Sequence, residues 1–269
     1  MLRTRLLTAA VALPVVLAAI FLLPAAGFSI FIFIVGMWGL YEVAEMTDGK
    51  SQYFRLLILG VLPLVLLLAS PRLVDDNPGF AIVPILSGLA MLALVGLVAR
   101  NGAEEVRRDA WHRAFLLPLG AFSVGAMFPY FALVRNSPKG IELILLMLLL
   151  VICTDTGAYF VGRAIGRHKL AFKVSPGKTV EGGIGGVIAS IAASLILRRW
   201  LVPQWSASET IVYAGIVAIL AIVGDLANSA FKRVAGVKDS GWILPGHGGL
   251  LDRTCSLVFA AVLTYYYSR

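Results

Sequence analysis

The apolar residues of this 269-residue chain are gathered into runs that are long enough to cross a lipid bilayer. A helix needs about 20 mostly apolar residues to span the hydrocarbon core. Only 14% of the residues are charged, whereas a soluble domain uses about a quarter. The pattern predicts an all-α, polytopic membrane helical bundle with about nine transmembrane helices. The predicted spans are Leu6–Leu23, Phe28–Ala44, Phe54–Ala69, Phe80–Ala99, Ala114–Val134, Ile141–Ile165, Gly182–Leu197, Ile211–Phe231 and Leu250–Tyr267.

The positive charge of the chain is unevenly distributed among the predicted loops. With a cytoplasmic N-terminus, seventeen of the 23 Lys and Arg residues fall on the cytoplasmic side, which agrees with the positive-inside rule. The net charge of +8 is therefore explained by loops that face the cytoplasm and anionic lipid, and no nucleic-acid partner is predicted. We expect a multi-pass protein of the cytoplasmic (inner) membrane, with its N-terminus and active-site loops in the cytoplasm.

The chain is expected to form a single integral membrane domain, 1–269, whose two halves differ in polarity. Residues 1–140 are mainly apolar, whereas residues 141–269 carry the polar motifs and are predicted to hold the catalytic helices and cytoplasmic loops. The two cysteines, Cys153 and Cys255, lie in or beside apolar runs and predict neither a disulfide framework nor a zinc site.

Polar residues end the predicted eighth span. Asn228, Ser229 and Lys232 follow Asp225 at intervals of three, four and seven positions, so the four residues share one helix face. Arg233 comes directly after them. A carboxylate inside a membrane span stays ionised only when a cation faces it, and this face therefore predicts a metal or cation site. The alternative is that these polar groups join neighbouring helices and have no chemical role.

A glycine-rich loop leads into the predicted ninth span. The three glycines of Pro245–Arg253 suit a tight turn in which backbone N–H groups approach an anion. Asp252 lies just inside the span, at a depth comparable to that of Asp225. Two carboxylates on facing helices provide the oxygen ligands that Mg²⁺ prefers. His247 could contact phosphate or ribose, although a single histidine in a loop is more often a surface hydrogen-bonding group.

Further polar residues lie within and after the predicted sixth span. Asp155 interrupts an apolar run and requires a partner, which makes it a third candidate metal ligand. Lys178 is a point charge suited to a triphosphate. The segment Ser175–Thr179 is only superficially similar to a P-loop, because the glycine spacing is wrong and no strand is predicted before it. Four other cations predict a basic rim for anionic headgroups: Arg163, Arg167, Lys169 and Lys173.

Two glutamates lie one turn apart at the cytoplasmic end of the predicted second span. Solvation at the membrane interface accounts for Glu42 and Glu45 at least as well as a role in the site does. The sequence therefore assigns them no chemical role.

Together, these motifs resemble the signature of the phosphatidate cytidylyltransferases (CDP-diacylglycerol synthases), and the resemblance covers the whole chain. It implies an enzyme that uses Mg²⁺ to make CDP-diacylglycerol and pyrophosphate from CTP and phosphatidic acid. The matching segments are Asp155-Thr-x-Ala-Tyr159, Ser175-Pro-x-Lys178-Thr179-x-Glu181-Gly182, Ser229-x-x-Lys232-Arg233, Lys238-Asp239 and Pro245-x-His247-Gly-Gly-x-x-Asp252-Arg253.

The resemblance also implies roles for individual residues. Asp225 and Asp252, together with Asp155, are predicted to hold Mg²⁺, with a second cation left open. The predicted catalytic residues are Asp225, Asp252, Lys232 and Arg233. The predicted substrate-binding residues are Lys178, Thr179, Ser229, Lys238, Asp239, His247 and Arg253.

Cys255 departs from the family pattern, in which an Asp usually stands two residues after the Asp-Arg pair. Thiolate is a poor partner for Mg²⁺, so a noncatalytic or altered relative is one alternative. A secondary transporter would also carry carboxylates within its spans, but it would not need a basic, glycine-rich cytoplasmic cluster. The double-aspartate motif of CDP-alcohol phosphotransferases is absent from the sequence. Four glycines would permit a homodimer through close helix contact: Gly182, Gly183, Gly185 and Gly186.

Overall fold

The computed structural model describes residues 2–47, 57–69, 72–108, 110–246 and 248–269, and this part of the chain is almost entirely helical. A π-helical turn, Leu57–Val61, precedes α3, and a 3₁₀ turn, Pro78–Ala81, precedes α5. The α-helices are α1 (Leu2–Leu22), α2 (Ala25–Met46), α3 (Leu62–Ala69), α4 (Arg72–Asp76), α5 (Ile82–Asn101), α6 (Ala103–Arg108), α7 (Ala110–Met127), α8 (Pro129–Arg135), α9 (Gly140–Ile165), α10 (Val180–Leu201), α11 (Ala207–Ala235) and α12 (Leu251–Tyr267).

Within the described ranges, six helical segments are long and apolar enough to cross a membrane. The all-α, multi-pass architecture is therefore confirmed. The predicted first and third spans correspond to the shorter apolar helices Ala10–Leu22 and Ile58–Leu68, and the ninth corresponds to the 17-residue α12. The count of nine stays a prediction. The six segments are Ala25–Met46, Gly79–Asn101, Phe115–Arg135, Gly140–Ile165, Val180–Leu201 and Ala207–Ala235.

Helices α9 and α10 pack closely because glycines of α10 let the two backbones approach each other. A Cβ atom on Gly182 would lie 2.7 Å from the carbonyl oxygen of Ala158, and one on Gly185 would lie 2.5 Å from Cβ of Val161. Gly186 faces α9 in the same way. These glycines were the basis for predicting a homodimer. Three of the four, Gly182, Gly185 and Gly186, are used for packing inside one chain and no longer support that prediction. The homodimer stays untested.

A short β-hairpin joins α9 to α10, with β1 (Lys169–Ala171) antiparallel to β2 (Ser175–Thr179). The prediction that no strand precedes Ser175–Thr179 was wrong, because strands of three and five residues are too short to give a recognisable alternating pattern. The hairpin ends where Thr179 Oγ1 accepts the backbone N–H of Gly182 at 3.1 Å and caps α10. This arrangement sets the position of Lys178 at the end of β2.

The two helices that carry the predicted signature are terminated differently. The 29-residue α11 begins at a capping box made by Ser206 and Glu209 and ends at Gly236, whose φ of 80° is left-handed. Helix α12 has no side-chain cap from its own N-cap residue, Leu250. The start of α12 must therefore be held by groups from elsewhere in the chain.

Candidate active site

A polar cavity of about 510 Å³ lies between α9, β2, α10, α11 and α12. The three acids predicted as metal ligands all line it, each from a different helix: Asp155 from α9, Asp225 from α11 and Asp252 from α12. The structure therefore brings together segments that are far apart in the sequence. The other polar lining residues are Tyr159, Arg163, Lys178, Thr179, Arg253 and Ser256.

Lys178 and Asp225 form an ion pair across the polar cavity. The distance from Lys178 Nζ to Asp225 Oδ2 is 2.6 Å, and the two side chains are 24% and 43% exposed. Lys178 is carried by β2, so the hairpin brings a cation from outside the helices onto the face of α11. Because both groups remain accessible from the cavity, each can exchange its partner for a ligand of opposite charge.

Asp252 lies in a different environment, with a side chain that is only 7% exposed. Its Oδ1 accepts bonds from Asn228 Nδ2 at 3.1 Å and Lys232 Nζ at 2.5 Å. Its Oδ2 accepts the backbone N–H of Ser240 at 2.8 Å, the Ser240 hydroxyl at 3.1 Å and the backbone N–H of Gly249 at 3.0 Å. Asp252 thus connects the end of α11, the following loop and the start of α12.

The glycine-rich loop is shaped around protein carboxylates. Gly248 has a φ of 82°, and a Cβ atom there would lie 2.6 Å from Asp252 Oδ2. A Cβ atom on Gly249 would lie 2.1 Å from Ser240 Oγ and 2.5 Å from Glu42 Oε2. The sequence predicted close approach of this backbone to an anion. In the structure, the anions approached are side chains of the chain itself.

Glu42 is the residue that the sequence reasoning missed. Its side chain is 1% exposed and accepts four hydrogen bonds, two of them from the backbone N–H groups of Leu250 and Leu251 at 2.6 and 3.0 Å. The others come from Trp38 Nε1 at 3.2 Å and the Ser240 hydroxyl at 2.8 Å. The explanation by interfacial solvation therefore does not hold for Glu42. No local signal separated Glu42 from Glu45, because both lie at the cytoplasmic end of the predicted second span.

The cytidylyltransferase family model matches residues 3–269. The chain belongs to this family. It is 32% identical over 292 residues to the phosphatidate cytidylyltransferase of Haemophilus influenzae, with 99% of each chain covered. It is 37% identical over 271 residues to that of Pseudomonas aeruginosa, with 98% of this chain and 97% of that protein covered. It is also 34% identical over 261 residues to that of Staphylococcus epidermidis, with 97% and 96% covered.

The predicted membership of the cytidylyltransferase family is confirmed, and with it a nucleotidyltransferase class of enzyme. Neither the family model nor these relatives favour a secondary transporter or a noncatalytic relative.

The structure separates the predicted site residues of this cytidylyltransferase into groups. Lys232 lies behind Asp252 and is itself 14% exposed. Asp239 lines a second cavity, of about 190 Å³, that also contacts Glu42 and Glu45. His247 lies outside the described residues. Four predicted residues of the described part of the chain line neither cavity: Ser229, Lys232, Arg233 and Lys238. The substrate and catalytic roles of all these residues stay predictions.

The arrangement of carboxylates fits one kind of Mg²⁺ site. Within the described residues, no group of three or more His, Cys, Asp or Glu side chains is placed to hold a metal ion. Mg²⁺ is commonly bound by one or two carboxylates, with water and substrate phosphates completing its shell. Asp225 suits such a site because it is partly exposed and already faces a cation. Asp252 suits it less well, because both its oxygens accept bonds from the protein.

Proposed function

We propose that the chain transfers the cytidylyl group of CTP to phosphatidic acid, giving CDP-diacylglycerol and pyrophosphate. The observation that carries the proposal is that the polar cavity adjoins an apolar groove of about 320 Å³. Leu170, Gly183 and Ile222 line both. A lipid with a phosphate headgroup and acyl chains matches such a pair of surfaces, and the relatives are phosphatidate cytidylyltransferases by name. The groove is lined by Leu170, Val180, Gly183, Ile184, Val187, Ile188 and Ile222.

The proposed reaction needs positioning and charge neutralisation more than a strong base. A phosphate oxygen of phosphatidic acid, which is already anionic, attacks the α-phosphorus of CTP. The bond from that phosphorus to the oxygen bridging the α- and β-phosphates breaks, and pyrophosphate leaves with the electron pair. Lys178 and Arg253 supply positive charge at the cavity wall, where fixed cations stabilise charge that moves to the leaving group. In this mechanism, Lys178 exchanges Asp225 for a phosphate oxygen.

We also propose that Mg²⁺, alone or with a second cation, is the cofactor. Asp225 would hold it from α11, with Asp155 and Asp252 on neighbouring walls of the same cavity. When bound, the ion would neutralise phosphate charge. The oxygen-only donor set supports Mg²⁺ over softer metals.

We propose that the end of the bundle bearing the polar cavity faces the cytoplasm, the source of CTP. The distribution of Lys and Arg along the sequence supports this orientation. Exposed cations on and beside the hairpin, such as Arg167 and Lys169, support contact with anionic headgroups. Trypsin added to sealed inverted vesicles should cleave at this hairpin, whereas trypsin added to right-side-out vesicles should not. The reverse result would overturn the orientation.

The activity can be tested with purified protein, phosphatidic acid, labelled CTP and Mg²⁺. We expect CDP-diacylglycerol and pyrophosphate in equal amounts, and Lys178→Met should lower the rate by about 100-fold because an ammonium facing the phosphates is lost. Lys139→Met is the matched control, since Lys139 contacts Gln204 and does not line the cavity. Product formation without phosphatidic acid, or none with it, would contradict the proposal.

The groove gives a second test, specific for the lipid. A Cβ atom on Gly183 would meet only Ile222 Cδ1, at 3.8 Å, so Gly183→Leu can be accommodated and would partly fill the groove. We expect the KM for phosphatidic acid to rise by about tenfold, and by more than the KM for CTP, because the added side chain fills the groove and only borders the polar cavity. Gly96→Leu is the control, because a Cβ atom there meets nothing within 4 Å. An unchanged KM for the lipid would argue against the groove as its binding surface.

A further inference from the structure

Glu42 links the second helix of the chain to the start of the last one. Its Oε1 accepts the backbone N–H of Leu250 and its Oε2 that of Leu251, across sequence separations of 208 and 209 residues. These N–H groups belong to the uncapped beginning of α12. A carboxylate at a helix N-terminus satisfies N–H groups that have no partner within the helix and interacts favourably with the helix dipole. Glu42 therefore acts as the missing cap of α12.

Ser240 connects this cap to the polar cavity. Its hydroxyl lies 2.8 Å from Glu42 Oε2 and 3.1 Å from Asp252 Oδ2, and its backbone N–H donates to Asp252 at 2.8 Å. The hydroxyl has a single proton, so the two carboxylates share it. Ser240 is therefore in contact with Glu42 and Asp252 at the same time.

The loop between α11 and α12 leaves little room for another arrangement. A Cβ atom on Gly241 would lie 2.7 Å from Glu42 Oε1, and one on Gly249 would lie 2.5 Å from Glu42 Oε2. Both glycines lie in the segment 236–250 that carries Lys238 and Asp239. The loop is therefore packed directly onto the Glu42 carboxylate.

We infer that Glu42 is a positioning residue: it holds the loop segments 236–246 and 248–250 and the first turn of α12, and so fixes Asp252 at the wall of the polar cavity. The inference rests on the proposed function for its effect on catalysis. The structural part, that Glu42 holds the loop, does not depend on which reaction the chain catalyses.

The structural part is tested by limited trypsin digestion of the full-length protein in detergent. Lys238 is exposed and is the one trypsin site between Val234 and Asp252. Glu42→Gln removes an acceptor oxygen, so at least one partner N–H or O–H group loses its bond, and we expect cleavage after Lys238 to become about tenfold faster. Asp76→Asn is the control, because it makes the same acid-to-amide change at an exposed residue of α4 that lines neither cavity, and it should cleave at the wild-type rate. Equal rates for Glu42→Gln and wild type would overturn the inference.

The catalytic part is tested by kinetics on the folded, monodisperse fraction. We expect Glu42→Gln to lower kcat by about tenfold and raise the KM for CTP by about threefold, whereas a loss of folded protein would lower only the maximal rate. Glu42→Asp should not restore the wild-type values, because its carboxylate is one methylene shorter. A double variant with Ser240→Ala should be no slower than Glu42→Gln alone, since both changes interrupt the same link. Wild-type kcat and KM, or fully multiplicative effects, would overturn the role.

Two results separate this inference from the proposed function. If wild-type protein makes no CDP-lipid, the proposed function fails while the trypsin comparison still reads the effect of Glu42 on the loop. If Glu42→Gln does not fold, Ser240→Ala carries the test, with faster cleavage after Lys238 and a higher KM for CTP as the expected result. Wild-type behaviour of Ser240→Ala in both measurements would then overturn the inference.

Discussion

Two carboxylates that look equivalent in the sequence occupy opposite kinds of environment. Asp225 is 43% exposed and forms an ion pair with Lys178, which is itself accessible from the polar cavity. Asp252 is 7% exposed, and both its oxygens are used by groups of α11, the following loop and the start of α12. Lys178 and Asp225, which form the open side of the cavity, can therefore exchange partners. Asp252 forms the closed side with Glu42 and Ser240, and these residues hold the start of α12 in place.

The largest loss of stability and activity is expected from a substitution on the closed side of the cavity. Asp252→Asn leaves the Lys232 ammonium without its counter-ion in a site where it is 14% exposed. Removing one member of a buried pair costs about 3–5 kcal/mol, so we expect a markedly lower melting temperature in detergent and no measurable activity. Adding Lys232→Met should recover part of the stability but not the activity. If Asp252→Asn alone were as stable as wild type, Asp252 would not hold the closed side of the cavity in place.

A substitution on the open side should lower the activity and leave the stability almost unchanged. Asp225→Asn is expected to lower the rate of CDP-lipid formation by about 100-fold, while the free energy of unfolding changes by about 1 kcal/mol or less, because the ion pair is partly solvated. We also expect Mg²⁺ to raise the melting temperature of wild type but not that of Asp225→Asn. Asp76→Asn, exposed and remote from the cavity, is the control. Near-normal turnover with an intact Mg²⁺ response would remove Asp225 from the site.

Two glycine substitutions compare the packing of the closed and open sides of the cavity without changing charge. A Cβ atom on Gly249, on the closed side, would lie 2.1 Å from Ser240 Oγ, whereas one on Gly177, on the open side, would meet nothing within 4 Å. We expect Gly249→Ala to cost about 1–3 kcal/mol of unfolding free energy through overpacking. Gly177→Ala should change it by about 0.5 kcal/mol or less. Thermal unfolding of both variants in one detergent measures the difference, and equal effects would contradict it.

The sequence predicts the members of the polar cavity better than their environments. Asp155, Asp225 and Asp252 could be found because an acid inside an apolar run is costly and needs a partner, and all three line one cavity. What distinguishes Asp225 from Asp252 is the set of groups packed against each. Those groups come from segments that are separated in the sequence, and no local pattern reports them.

Glu42 shows the same limit most clearly. Its backbone partners are 208 and 209 residues away, so the sequence around it is equally compatible with solvation at the membrane surface. Its neighbour Glu45, one turn along α2, is exposed, so helix spacing alone does not distinguish the two residues. The helices themselves follow from hydrophobic runs, but irregular segments such as the π-helical turn Leu57–Val61 prevent the same pattern from giving the number of spans.

Only a small effect on activity is expected at Cys255, the position where the sequence departs from the family pattern. Cys255 lines a small apolar cavity with residues such as Met127 and Phe259, and it is not among the residues that line the polar cavity. We therefore expect Cys255→Ala to cost about 1 kcal/mol of stability and to leave kcat within about threefold of wild type. A tenfold loss of kcat, measured on folded protein, would instead mean that position 255 acts on the reacting groups. Cys255 would then have to be counted among the residues of the active site.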